Sequence, residues 1–89
     1  MAILPNPDVT AVVLEDGCLE LHSQQSEKPI RCAPVNTAMW IAMRQNGGHL
    51  DAVADLLADL WDVDPGRVRS DLDLWVNELG NAGLVHDAP

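Results

Sequence analysis

Phenylalanine and tyrosine are absent from this 89-residue chain, and tryptophan occurs only as Trp40, Trp61 and Trp75. The core must therefore be built from Leu, Val, Ile, Ala and Met, with the indoles as its large anchors. Bases are scarce too: Lys28, Arg31, Arg44, Arg67 and Arg69 stand against 14 acidic residues, for a net charge of −9. A surface that neutralises phosphates needs clustered Lys and Arg, so nucleic acid and anionic membranes are poor partners. A basic peptide suits the charge better. No run approaches the roughly 18 apolar residues that span a bilayer. The start, Met1-Ala2-Ile3-Leu4-Pro5, lacks the basic residues and long apolar stretch of a signal peptide, so a cytoplasmic location is expected. Cys18 and Cys32 have no second pair or His cluster beside them, which argues against zinc and for free thiols.

What is present is a 47% apolar chain of one domain's length, ordinary for a globular fold. Met1 to Asp8 carry two prolines and no periodicity, and read as a loose arm ahead of a domain over 9–86. Thr10–Glu15 and Cys18–His22 flank Asp16-Gly17, which predicts a hairpin with a two-residue turn. That turn sets Leu14 opposite Leu19 and Val12 opposite Leu21, all on one face. After the polar Ser23–Glu27 loop, a third strand around Pro29–Pro34 pairs Ile30 with Leu21 and Cys32 with Leu19. Pro29 lacks a donor and belongs on an edge. An open edge is where another chain can add a strand.

Three helices should follow. The first starts near Asn36 or Thr37, either of which can cap it, and stops at Asn46-Gly47-Gly48. The second runs from about Leu50 to Leu60, with Val53, Leu56, Leu57 and Leu60 inward and Asp51, Asp55 and Asp59 as an acidic outer stripe. The third begins at Asp64-Pro65 and carries Val68, Leu72, Trp75 and Leu79 as its core stripe, ending at Gly80 and Gly83. Leu84-Val85 can fold back on the core. The fold class expected is α+β: a three-stranded antiparallel sheet followed by three helices, its last strand beside the last helix.

Catalytic chemistry is hard to find. His22, His49 and His86 lack the spacing to Cys or Ser that a triad would need. The Asp51, Asp55 and Asp59 row reads as a solvated face, and Gly47-Gly48 as a helix stop, not a phosphate loop. A carrier protein would hold its prosthetic arm on a Ser after an Asp at a helix start. Here Ser70-Asp71-Leu72 has the order reversed inside a helix. No catalytic residue, cofactor or metal is expected.

The order of these pieces resembles a known family. The Glu15-Asp16-Gly17 hairpin, the step into Asn36-Thr37-Ala38-Met39-Trp40, the Gly47-Gly48 stop and Leu60-Trp61-Asp62-Val63-Asp64-Pro65 come first. Val68-Arg69-Ser70-Asp71-Leu72, Glu78-Leu79 and Gly83-Leu84 complete it. From about Val9 to Val85 the chain looks like a PqqD-like domain, the RiPP recognition element. The resemblance implies a winged helix-turn-helix-like fold that binds the leader segment of a precursor peptide. The leader lies as an added strand on the third β-strand, in the cleft facing the third helix. Family members often carry an aromatic or bulky residue on that strand, where this chain has Arg31 and Cys32.

Acidity and a Leu, Val and Trp groove favour the lasso-peptide type within that resemblance. It implies a Lys-rich leader with a Tyr-x-x-Pro-x-Leu pattern, a separate leader peptidase and an asparagine-synthetase-like cyclase that forms the macrolactam. The alternatives are a PqqD-type chaperone of pyrroloquinoline quinone synthesis and a winged-helix transcription regulator, the latter disfavoured by Asp71, Asp73 and Glu78 on helix three. The residues expected at the peptide are Lys28, Ile30, Arg31, Cys32 and Ala33 from the strand. From helix three they are Leu72, Asp73, Trp75, Val76 and Leu79, with Asp71 and Glu78 as charge partners.

Overall fold

The computed structural model describes residues 2–25 and 27–88. Five strands and three helices follow in the order β1 (Ala2–Pro5), β2 (Val9–Val13), β3 (Leu19–Ser23), β4 (Ile30–Cys32), α1 (Pro34–Gln45), α2 (Leu50–Trp61), α3 (Pro65–Asn81) and β5 (Val85–Ala88). β2, β3 and β4 form an antiparallel sheet in that order, and β1 pairs with β5 as a separate two-stranded ribbon. The α+β class expected from the sequence is the one observed.

The β3–β4 register is also as expected, with Leu21 opposite Ile30 and Leu19 opposite Cys32. One face of β3 is therefore apolar, and Leu19 and Leu21 are almost wholly buried under the helices. They meet Met43 of α1, Val53 and Leu57 of α2 and Leu72 of α3 in a single core. Trp40 and Trp75 touch edge to face, with ring centroids 6.4 Å apart and planes at 76°. That geometry aligns the positive edge of one indole with the negative face of the other and adds about 1 kcal/mol to the burial of both.

The β2–β3 hairpin differs from expectation by one residue. Val13 lies opposite Leu19, Val12 opposite Glu20 and Ala11 opposite Leu21. The loop has three residues, Glu15-Asp16-Gly17: the Gly17 N–H donates to the Leu14 carbonyl and the Leu14 N–H to that of Cys18. Gly17 has φ +88°, the left-handed residue of a bulged turn. Asp16 selects this form, because its carboxylate accepts the Cys18 N–H at 3.0 Å. The one-residue slip moves Val12 to the outer face and leaves Val13, on the inner face, 55% exposed.

Three further expectations are corrected. The supposed loose arm contains β1: Ala2 and Ile3 are buried, and Asn6 donates its backbone N–H to Leu84 and its side-chain amide to Gly83. Its partner strand lies some 80 residues away in sequence, so local periodicity carries no sign of it; Met1 lies outside the described residues. Second, α1 starts at Pro34, with neither Asn36 nor Thr37 as its cap. The fixed φ of proline and its lack of an N–H suit a first helical turn, while the Thr37 hydroxyl donates to the Gly17 carbonyl at 2.7 Å and ties α1 to the hairpin. Third, α2 buries Leu50, Val53, Ala54, Leu57 and Ala58, whereas Leu56 and Leu60 are exposed.

Each helix ends on a left-handed residue: Gly47 (φ +63°), Asp62 (+54°) and Gly83 (+77°). After α3 the Leu84 N–H bonds to the Leu79 carbonyl and the Gly83 N–H to that of Gly80. Leu79 and Leu84 are both buried at that closure, the apolar contact that accompanies a Schellman turn. The turn aims the chain back along the core into β5.

Gly48 is the tightest point of the fold. Its φ is +80°, and a Cβ there would lie 2.1 Å from the Ile3 carbonyl oxygen, which belongs to backbone and cannot rotate away. The Ile3 N–H also donates to the Gly48 carbonyl at 2.9 Å. Gly48→Ala is expected to lower unfolding free energy by on the order of 2 kcal/mol or more in urea denaturation, whereas Gly80→Ala, where a Cβ meets nothing within 4 Å, should not destabilise it.

Candidate functional site

β4 is an edge strand whose outer side has no partner among the described residues. In an antiparallel ladder, successive residues turn their N–H and C=O alternately to the two sides. The Cys18 carbonyl faces β2, so Leu19 and Leu21 face β4, and Cys32 and Ile30, opposite them, face back to β3. Arg31 therefore turns both its N–H and its C=O outward. Pro29, with no N–H, sits where a donor would point outward, so its absence costs the ladder nothing. The Ala33 carbonyl is occupied, accepting the Asn36 and Thr37 N–H groups at the start of α1.

Beside this edge runs an open cleft of about 340 Å³. Ile30, Arg31, Cys32 and Ala33 form one wall, Trp75, Glu78 and Leu79 of α3 the other, and Asn36 of α1 closes the end. The floor is apolar: Cys32, Trp75 and Leu79 are each less than a tenth exposed. Burial pushes the Cys32 thiol above its ordinary value; a hydrogen bond with the Trp75 side chain opposes this and the nearby Glu78 carboxylate adds to it. The thiol is thus neutral and part of the greasy surface. Glu78 is exposed on the rim, and Asp71, seven residues earlier, lies on the same flank of α3.

The Arg31 side chain does not enter the cleft. It crosses the outer face of the sheet to Asp16, Nη2 to Oδ2 at 2.7 Å. Hydrogen bonds from Cys18, with the Arg31 guanidinium, hold the Asp16 carboxyl below the usual carboxylate range. Cys18 and Asp16 in turn raise the guanidinium's pKa. Arg31 contributes backbone to the cleft and side chain to the turn.

Of the residues expected to form a site, Ile30, Arg31, Cys32, Ala33, Trp75, Glu78 and Leu79 come together here. Lys28 is exposed in the approach to β4. Three others lie outside this lining. Leu72 is completely buried and Val76 nearly so, because both point down the core stripe of α3 and not at its flank. Asp73 faces the other way: it accepts from Arg69 at 3.0 Å, and Arg69 also pairs with Asp51 of α2. The i,i+4 spacing of Arg69 and Asp73 is legible in sequence. Asn36 was missed as a cleft residue because helix α1 was expected to begin on it. Leu74, 66% exposed on α3 between Asp71 and Glu78 in sequence, lies outside the cleft lining.

A second hollow of about 350 Å³ lies between Ile3, His49, Leu50, Asp51 and Arg69. Its charged groups, Arg69 and Asp51, already satisfy one another, and it borders no open strand edge. Among the described residues no group of three or more His, Cys, Asp or Glu is placed to hold a metal ion, and no helix is long and apolar enough to cross a membrane.

No protein-family model and no curated protein matches this chain. Among solved structures it is similar to TbiB1 in complex with the TbiA(beta) leader peptide, at 20% sequence identity and a TM-score of 0.81. The match covers 100% of this chain and 99% of the other. The whole fold, ribbon and sheet and helices together, is thus shared with that leader-peptide-bound protein.

The two thiols should separate chemically. Cys18 is half-exposed and Cys32 buried with a raised pKa. In iodoacetamide labelling near about pH 8, Cys18 is expected to be modified well ahead of Cys32, by peptide mass spectrometry. Equal rates would mean that the cleft floor opens to solvent.

Proposed function

We propose that the protein binds the leader segment of a ribosomally made precursor peptide, without catalysis, by accepting it as a strand on the free edge of β4. The observation that carries this reading is one juxtaposition: the outward N–H and C=O of Arg31 lie along a cleft with an apolar floor of Cys32, Trp75 and Leu79. Main-chain bonds to Arg31 and the Ala33 N–H supply affinity that hardly depends on leader sequence. Alternate leader side chains enter the cleft, where Ile30, Cys32, Trp75 and Leu79 suit apolar groups. Glu78 and Asp71 on the rim attract Lys residues of the leader and speed encounter more than they hold the complex. That the similar fold of TbiB1 was solved with a leader peptide bound supports the same role here.

The bound leader raises the local concentration of its precursor at the enzymes that process it. In the lasso-type reading these are a leader peptidase and an asparagine-synthetase-like cyclase, working in the cytoplasm.

Titration with a synthetic leader, from the precursor gene neighbouring its own, is expected to saturate at one peptide per chain. Absence of binding at high micromolar concentration overturns the reading. Arg31→Pro removes a donor that points away from β3, so the fold should persist by circular dichroism while affinity falls by about tenfold, the loss of one well-placed hydrogen bond. Undiminished binding would place the leader elsewhere.

Glu78→Gln tests the rim. Its expected signature is a flatter dependence of affinity on salt, with a loss of only about two- to fivefold at physiological ionic strength. An unchanged salt slope would remove Glu78 from the contact.

A further inference from the structure

The edge of β4 is short of one acceptor. Arg31 turns both its N–H and its C=O outward, so a guest strand can exchange two bonds with it. The next residue with the same orientation is Ala33. Its N–H points outward, but its carbonyl already accepts the Asn36 N–H at 2.8 Å and the Thr37 N–H at 3.3 Å. Both lone pairs of that oxygen are in use. A guest strand therefore brings one main-chain N–H, level with Ala33, that the ladder cannot satisfy. Parallel and antiparallel guests meet the same deficit, because either pairing aims a guest N–H at each outward carbonyl. An N–H taken from water without a new partner weakens binding.

Asn36 closes the cleft at that end. Its carboxamide has no evident task in the fold. Ala33, not Asn36, is the N-cap of α1, and no side chain caps that helix. The amide nitrogen lies 3.6 Å from the Met39 sulfur, a weak acceptor, and the carboxamide oxygen makes no hydrogen bond among the described residues. The side chain is half-buried and rooted in the first turn of α1. Glu78, the other acceptor in the lining, is exposed on the opposite wall.

We infer that the Asn36 carboxamide oxygen accepts the guest N–H that the Ala33 carbonyl cannot, and so terminates the added strand. This rests on the leader reading and deepens it. The consequence is a constraint on the leader. The residue level with Ala33 can carry any side chain that fits, but it cannot be proline, which has no N–H and would leave the Asn36 oxygen unpaired. Backbone recognition along β4 thereby acquires one position that reads sequence.

The test is a series of synthetic leaders in which single backbone amides are replaced by esters, each removing one N–H and keeping every side chain. Titrated against the wild-type protein, esters at alternate positions of the docked strand should weaken binding by about tenfold each. Asn36→Leu keeps the bulk of the side chain without its acceptor. It should bind the all-amide leader about tenfold more weakly, and one ester penalty, at an end of the series, should vanish while the others persist. Asn36→Asp keeps an acceptor and should keep every penalty. Equal affinity of Asn36→Leu and wild type for the all-amide leader overturns the inference. So does a weakened Asn36→Leu in which all ester penalties remain, since the side chain would then act on the fold and not on an N–H. A wild-type protein that binds no leader overturns the leader reading itself, whereas loss of binding in Arg31→Pro beside full binding in Asn36→Leu overturns this inference alone.

Discussion

The cleft exists because α3 rests on an indole. Trp75 meets Trp40 of α1 edge to face, and that contact carries the third helix above the sheet beside β4. A smaller side chain at either position would let α3 settle toward the strand and close the space where Cys32 and Leu79 now face each other. The chain has no Phe or Tyr, and its third indole, Trp61, is exposed at the end of α2. The same contact that adds about 1 kcal/mol to the core also keeps a surface from being buried.

Charge and polarity are divided across α3 in a way that matches this division of labour. One side, through Arg69, bonds Asp73 and reaches Asp51, stitching α3 to α2. These are exposed ion pairs, worth well under about 1 kcal/mol each, but they settle which way the helix's acids point. The other side sets Glu78 at the cleft, with the exposed Asp71 on the same flank of the helix. The helix thus commits Arg69 to internal contacts and sets the exposed Glu78 carboxylate at the rim of the cleft.

Much of this was legible in the residues, and the failures have physical causes. Gly47-Gly48, Asp64-Pro65 and the Ile30–Leu21 pairing appear in the structure as read, because each is enforced by local backbone chemistry or by alternation on a buried face. Asp16-Gly17 marked the hairpin but not its register, since the same dipeptide closes a two-residue loop or a three-residue bulged one, and only Asp16's bond to the Cys18 N–H distinguishes them. β1 was invisible because its partner is at the other end of the chain. Leu56 and Leu60 show the limit of periodicity: it finds apolar faces but not which residue a neighbour covers. For the cleft, chain order named the strand and helix that line it, while Asn36 required a helix start to be placed to within one residue.

Arg31 has a consequence of a different kind. Its guanidinium is moored to Asp16, across the hairpin turn, before any guest arrives. Its peptide groups are set in line at the rim of the sheet by the β3–β4 ladder, and the ion pair adds a tie to the turn. If a peptide adds to β4 as proposed, it would surrender its own freedom to lie along a strand that the Arg31–Asp16 pair already links to the hairpin turn, so the ordering cost would fall mainly on the guest.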